Sequence, residues 1–188
     1  MPAAVLGPGR LLVATPVLTG GPFARAVVQL LEHSETDGAL GVVLNASTDA
    51  ALADVLPGWA LLAPDPVVVF EGGPVEQTVV VCLGRLPIPA PADPSYVGVP
   101  GAPWLATVDL ASDVAEAVVE EVRVFAGYAG WAPGQLEAEV EQGGWWVLDA
   151  LPGDAFTSSP ELLWRQVLTR QGMPLALAAS FPADPSLN

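Results

Sequence analysis

The chain has no lysine, a single histidine and a single cysteine among 188 residues. Charged side chains are scarce at 14%, against roughly 25% in typical globular proteins. Each scarcity excludes something. With only Cys82 there is no intrachain disulfide. Every cation other than His33 is an arginine, and the six are spread along the chain as Arg10, Arg25, Arg85, Arg123, Arg165 and Arg170. They stand against 21 acids, for a net charge of −15. Nucleic-acid affinity rests on cationic contacts to phosphate, so binding of DNA or RNA by direct charge is not expected. Anionic lipid surfaces are disfavoured for the same reason. No apolar run of about 18 residues is free of proline, glycine or charge, so no transmembrane helix is expected. Met1–Arg10 lacks a basic leader and does not read as a signal peptide. A cytoplasmic location follows as the expectation.

What the chain has in abundance is apolar residues, 52% of the total, which suits one ordered domain over residues 1–188 with one sizeable core. Residues 1–9 and 182–188 are expected to be loose ends. So little charge leaves an unusually apolar surface, for which self-association is one outlet. The richness in Ala, Gly, Pro, Val and Arg points to a GC-biased genome.

Strands are expected at Arg10–Thr15, within Phe23–His33, and at Ala39–Asn45 after the turn signal Asp37-Gly38. Thr48 and Asp49 are read as opening a helix carrying Leu52, Val55, Leu56 and Trp59 on one face. Val67–Phe70 and Thr78–Leu83 read as strands either side of a loop, Glu71–Glu76. Arg85–Trp104 holds Pro87, Pro89, Pro91, Pro94, Pro100 and Pro103 and reads as a long connection. A strand at Leu105–Val108 is followed by a helix, Val114–Glu121, opened by Asp113 and Glu116. Val122–Ala126 and Trp145–Asp149 read as strands, and Gly127–Gly134 as a glycine-rich loop. Pro133 is placed to start a helix ending at Gln142, and Ser159-Pro160 to open another over Glu161–Gln171 before Gly172. This mixture favours α+β over a doubly wound sheet.

Few segments offer chemistry. His33 has no metal-binding spacing around it, and Glu32 beside it on a strand points to the opposite face. It is either a hydrogen-bonded structural residue or a ligand or base. There is no GxSxG elbow, and Cys82 in an apolar run reads as a buried small hydrophobe. Gly72 and Gly73, between Glu71 and Glu76, make either a tight turn or a nest of exposed amides. Phe125 to Glu137 has the strand–loop–helix form of a phosphate loop. Yet it ends in Gln135 and Leu136 where such a loop needs Lys and Ser/Thr, and it lacks GxGxxG spacing. Tyr128 and Trp131 either wall a pocket or plug the core.

Taken together, Leu11–Pro16, Phe23–His33 with Gly38–Asn45, Gly72-Gly73-Pro74-Val75, and Gly127-Tyr128-Ala129-Gly130-Trp131 running into Pro133–Glu137 resemble the YqgE/AlgH family of bacterial proteins. The resemblance spans roughly Gly9 to Trp146. After Asn45 the family often has a basic residue and proline, where this chain has Ala46 and Ser47. The resemblance implies an α+β fold in which a bent, branching, mainly antiparallel sheet forms a pseudo-barrel with helices outside. It implies no agreed activity, and one member's name implies a transcriptional regulator of exopolysaccharide genes. Its recurring motif residues stand here as Arg25, His33, Asn45, Gly72, Gly73, Pro74, Gly127, Tyr128, Trp131, Gln135 and Glu137. With Glu71, and without Pro74 and Gly127, these are the candidate ligand-binding residues; no catalytic residue, cofactor or metal is assigned. The leading expectation is a non-catalytic binding or regulatory domain contacting an unidentified protein or small ligand. The alternatives are a hydrolase using His33 with Glu71 or Glu137, and a transcriptional regulator acting through a partner rather than by gripping DNA.

Overall fold

The computed structural model describes residues 5–112 and 117–181. Among the described residues ten strands form one continuous sheet: β1 Arg10–Ala14, β2 Val27–Ser34, β3 Gly38–Val43, β4 Ser47–Ala51, β5 Val68–Glu71, β6 Val75–Arg85, β7 Tyr96–Val99, β8 Ala102–Val108, β9 Glu121–Trp131 and β10 Trp145–Asp149. Along the main path the order is β10-β1-β2-β3-β9-β6-β8-β7, and β4–β5 branch off against β9. All pairings are antiparallel except β5 with β9. Among the described residues four short α-helices accompany the sheet: α1 Leu52–Val55, α2 Gln135–Glu141, α3 Leu163–Arg170 and α4 Leu175–Ala178.

Alternation along the strands explains the layering. In β1, Leu11 and Val13 enter one core cluster while Leu12 and Ala14 enter another. The first cluster also takes Leu83, Leu105 and Phe125 from the far half of the sheet and Leu163, Trp164, Val167 and Leu168 from α3. Both halves therefore converge on one interior, and the sheet is a curled half-barrel closed by α3. The second cluster lies on the outer face under α2, with Leu136 as its anchor. A third gathers Leu52, Trp59, Cys82 and Val122 around α1. The expected α+β fold with a bent, branching sheet is what the chain adopts.

Several expected elements change. Thr48 and Asp49 open no helix; they lie in β4, where the Thr48 hydroxyl donates to Val69 O at 2.6 Å and ties β4 to β5. Only Leu52–Val55 is helical there. The proline-rich connection contains the β7–β8 hairpin, turned at Pro100-Gly101 with Gly101 at φ +80°. Gly127–Gly134 is no loop, since β9 runs unbroken to Trp131. Glu121 begins β9 rather than ending a helix. The Asp113–Glu116 pair and the tail Pro182–Asn188 lie outside the described residues. Among the described residues no helix is long and apolar enough to cross a membrane.

Candidate functional site

β2 and β3 form a hairpin whose turn, Ser34–Asp37, is closed by its own side chains. The Ser34 hydroxyl donates to Asp37 Oδ2 at 2.9 Å and accepts from the Thr36 backbone N–H at 3.2 Å. β9 lies beside β3 in the register His33–Ala39–Trp131 and Glu32–Leu40–Gly130. Those two rows occupy opposite faces of the sheet. Ala39 and Trp131 belong to the outer cluster beneath α2, whereas Leu40 and Tyr128 pack on the interior cluster.

At this end of the half-barrel an open cleft of about 590 Å³ is lined by Glu32, Leu40, Val75, Tyr128 and Gly130 together with His33, Asp37 and Trp131. Gly130 makes room for it. A Cβ there would stand 3.4 Å from the Tyr128 ring and 3.8 Å from Val75, so the ring lies across the glycine. The cleft thus has an apolar floor, an aromatic wall and carboxylates at its rim.

On the other side of the sheet, His33 Nε2 lies 2.7 Å from Glu137 Oε1 on α2. The His33 hydrogen bond, followed by Glu137's own backbone N–H, holds the Glu137 carboxyl below its ordinary pKa. The pair ties the end of the β2–β3 hairpin to a helix too short to persist alone. Leu136, 1% exposed, anchors that helix, a contribution of about 2 kcal/mol. Gln135 closes its start: its side-chain oxygen accepts from the Ala132 N–H at 3.0 Å and its amide donates to Glu139 Oε1 at 2.9 Å. Glu139 Oε2 accepts both indole N–H groups, Trp131 at 3.0 Å and Trp145 at 2.8 Å. Phe23 completes an aromatic cluster, 6.1 Å from the Trp131 ring and 5.5 Å from Trp145. At the helix start the Gln135 N–H donates to Ala132 O at 3.0 Å, and no side chain caps the helix at Gly134.

The glycine pair lies elsewhere. Gly72 N–H donates to Ala126 O at 2.8 Å, and Gly72 O accepts from Val43 N–H at 2.9 Å. It bridges β3 and β9 where the sheet branches. A Cβ on Gly72 would stand 2.2 Å from Gly127 O, and one on Gly73 2.4 Å from the Tyr128 carbonyl carbon. Two backbones cross here in contact, and the Gly72 amide is not free for an anion. Glu71 accepts from the Gln77 side chain at 3.1 Å at the surface.

Arg25 and Asn45 are also remote from the cleft. Asn45 Oδ1 accepts from the Val27 N–H at 2.8 Å and its Nδ2 donates to Arg25 O at 2.9 Å, stapling the entrance of β2. The structure therefore brings His33 to Glu137 and sets the Tyr128 ring in the cleft; Glu71, Arg25 and Asn45 do not line that cleft, and Gly73 meets Tyr128 only backbone to backbone. Sequence reasoning missed Leu40, Val75 and Glu139. The first two are ordinary strand residues until β9 and β6 are placed beside β3. Glu139 carried one legible signal, its i+4 spacing from Gln135. Cys82 is buried as expected, and burial pushes its thiol up to about 12. Among the described residues no three His, Cys, Asp or Glu side chains gather as a metal site.

The model of the AlgH-like family matches residues 11–176. The chain belongs to that family. It is 48% identical over 183 residues to a UPF0301 protein of Streptomyces avermitilis, covering 96% of this chain and 94% of that one. A UPF0301 protein of Mycobacterium tuberculosis is 46% identical, covering 96% and 90%. The crystal structure of protein DIP2367 from Corynebacterium diphtheriae superposes with a TM-score of 0.89 at 37% identity, over 96% of this chain and 95% of that one. The solution structure of AlgH from Pseudomonas aeruginosa matches with a TM-score of 0.68 at 28% identity, over 97% and 98%.

Proposed function

We propose that the protein is a non-catalytic binding or regulatory domain that works by contact at the cleft between Glu32, Leu40, Val75 and Tyr128. The observation that carries the reading is the cleft itself. It is a concave site of about 590 Å³ with an apolar floor and a phenol wall, at the end of a rigid sheet. The side chains bordering it carry no assembled nucleophile, because the Ser34 hydroxyl is spent on the hairpin turn. The test is isotope-edited NMR of the full chain with fractions of a native lysate added. Shifts confined to Leu40, Val75, Tyr128 and Gly130 are expected. A fraction that binds but perturbs only other surfaces defeats the reading.

The second reading is hydrolytic, and the 2.7 Å contact of His33 with Glu137 favours it, since a carboxylate beside an imidazole is the arrangement of a general base. The strand register turns the His33 side chain toward α2 and Glu137, although the residue also borders the cleft. Generic ester, phosphoester and amide substrates decide it. A His33→Gln variant that leaves any turnover unchanged removes this reading. A role in transcription, as a family member's name implies, fits contact with a protein partner better than direct DNA binding. A net charge of −15 repels phosphate at long range.

A further inference from the structure

We propose, on the reading that the Tyr128 cleft is the contact surface, that its occupant is a cation on a short apolar stem, an alkyl guanidinium or alkyl ammonium.

Strand register brings the lining together. Glu32, Leu40 and Gly130 stand in one row across β2, β3 and β9. Tyr128 lies two residues from Gly130 on the same face of β9, and Val75 of β6 is its cross-strand partner. Two irregularities in the ladder set this arrangement. Between Leu30 and Glu32 the register of β2 slips against β3, so that Glu32 rather than Leu31 falls opposite Leu40. A bulge re-aims the side chains beyond it, and this one delivers a carboxylate to a row that is otherwise apolar. Leu31 stays in the interior cluster. On the other flank β6 breaks register between Val75 and Val80, with Glu76 at φ +44°, which leaves Val75 set against Tyr128.

The charged side chains with capacity to spare in this cleft are carboxylates. Glu32 is exposed and makes no ion pair among the described residues. Asp37 takes the hydroxyls of Ser34 and Thr36 on one oxygen, Oδ2, at 2.9 and 3.0 Å, which fixes the carboxylate and leaves Oδ1 to an incoming donor. His33, the one basic side chain at the cleft, has its Nε2 held by Glu137. All six arginines lie among the described residues, and none of them lines the cleft. The floor of Leu40 and Val75 takes a methylene stem, and the Tyr128 ring offers its negative face to a charged head. A neutral apolar molecule leaves both carboxylates unanswered. An anion meets both of them in a chain of net charge −15. Acidic surface elsewhere attracts any cation weakly, and what the cleft adds is the ring and the apolar floor, which select the stem.

The experiment titrates n-propylguanidinium, an arginine side chain without its backbone, into the isotopically labelled full chain at low ionic strength. Butanol and butyrate serve as neutral and anionic stems, and sodium chloride at matched ionic strength as the salt control. Saturable shifts at Leu40, Val75, Tyr128 and Gly130 are expected with the guanidinium, and binding at least about tenfold weaker with butanol and butyrate. Glu32→Gln, at an exposed position, is expected to weaken the guanidinium about threefold, the worth of one partly exposed ion pair, and to leave butanol unchanged. Glu161→Gln removes an exposed carboxylate outside the cleft and is expected to change neither, which controls for net charge. Acetyl-Gly-Arg-Gly-amide carries the same head on a peptide: binding at least about tenfold tighter than the free guanidinium assigns the cation to a partner protein, and anything weaker to a small molecule. Butanol or butyrate saturating these residues as tightly as the guanidinium overturns the cation class and leaves the cleft standing as the contact surface. Guanidinium shifts that are absent, that fall only outside the cleft, or that chloride or the Glu32→Gln variant reproduces in full overturn the proposal, and the lysate titration then decides the contact surface by itself.

Discussion

The Gly72–Gly73 crossing and the Tyr128 cleft look alike in sequence, two glycine-bearing segments following a strand, and they are opposite in kind. At the crossing the glycines are there because backbone touches backbone. Gly72, Gly73, Gly127 and Tyr128 meet at distances that admit no Cβ. At the cleft Gly130 leaves open space that the Tyr128 ring only partly fills. The first builds the branch in the sheet, and the second leaves a concave surface at its end. A glycine-rich stretch is thus informative about function only after its neighbours are known.

That contrast can be broken most forcefully at the crossing. Gly72→Ala sets a methyl 2.2 Å from Gly127 O, and the expected loss is more than about 4 kcal/mol, read as failure to fold or a collapsed urea midpoint. Gly98→Ala, with nothing within 4 Å, is the control and shifts stability by less than about 1 kcal/mol. Next in size is Arg123→Met. It strands the carbonyls of Asp65, Pro66 and Thr157 and removes a guanidinium 4.4 Å over the Phe70 ring; a loss of about 3 kcal/mol in denaturant unfolding is expected. Glu139→Ala leaves the Trp131 and Trp145 indoles without an acceptor, costing about 2 kcal/mol and altering the near-UV circular dichroism of the aromatic cluster.

Smaller again in stability is His33→Gln, below about 1 kcal/mol at neutral pH because the partner carboxylate is more than a third exposed. Its signature is in the acid limb. The Glu137 carboxyl is lowered in the folded chain, so its contribution is fully present above about pH 4.3, the unfolded value, and is lost as pH falls through the lowered folded value. Thermal unfolding across that window should show the natural chain losing more stability than the variant. Equal losses would remove the His33–Glu137 contact from the account.

Much of the fold was legible in local pattern. Leu11–Ala14, Val42–Val43 and Trp145–Asp149 are apolar runs that could only be strands, and Leu163, Val167 and Leu168 mark one side of α3. Local pattern failed where long-range pairing overrode propensity. Gly127, Ala129 and Gly130 stay in β9 because β6 and β3 bond to its two edges. Ser47–Ala51 is extended because β5 pairs with it, against its helix-like composition. Pro100-Gly101 was a turn signal lost among its neighbouring prolines. The cleft was half legible: Tyr128 stood out as an aromatic among glycines, but Leu40 and Val75 became its neighbours only through the sheet order.

The central claim is that contact happens at the cleft. Glu32 is exposed at its rim, so Glu32→Arg reverses the local charge while leaving stability within about 0.5 kcal/mol. Quantitative capture from a native lysate with the natural chain and with Glu32→Arg as baits is the direct measurement. The account predicts at least one bound species retained by the natural chain and depleted about tenfold or more by the variant. An identical set of bound species on both baits would contradict it.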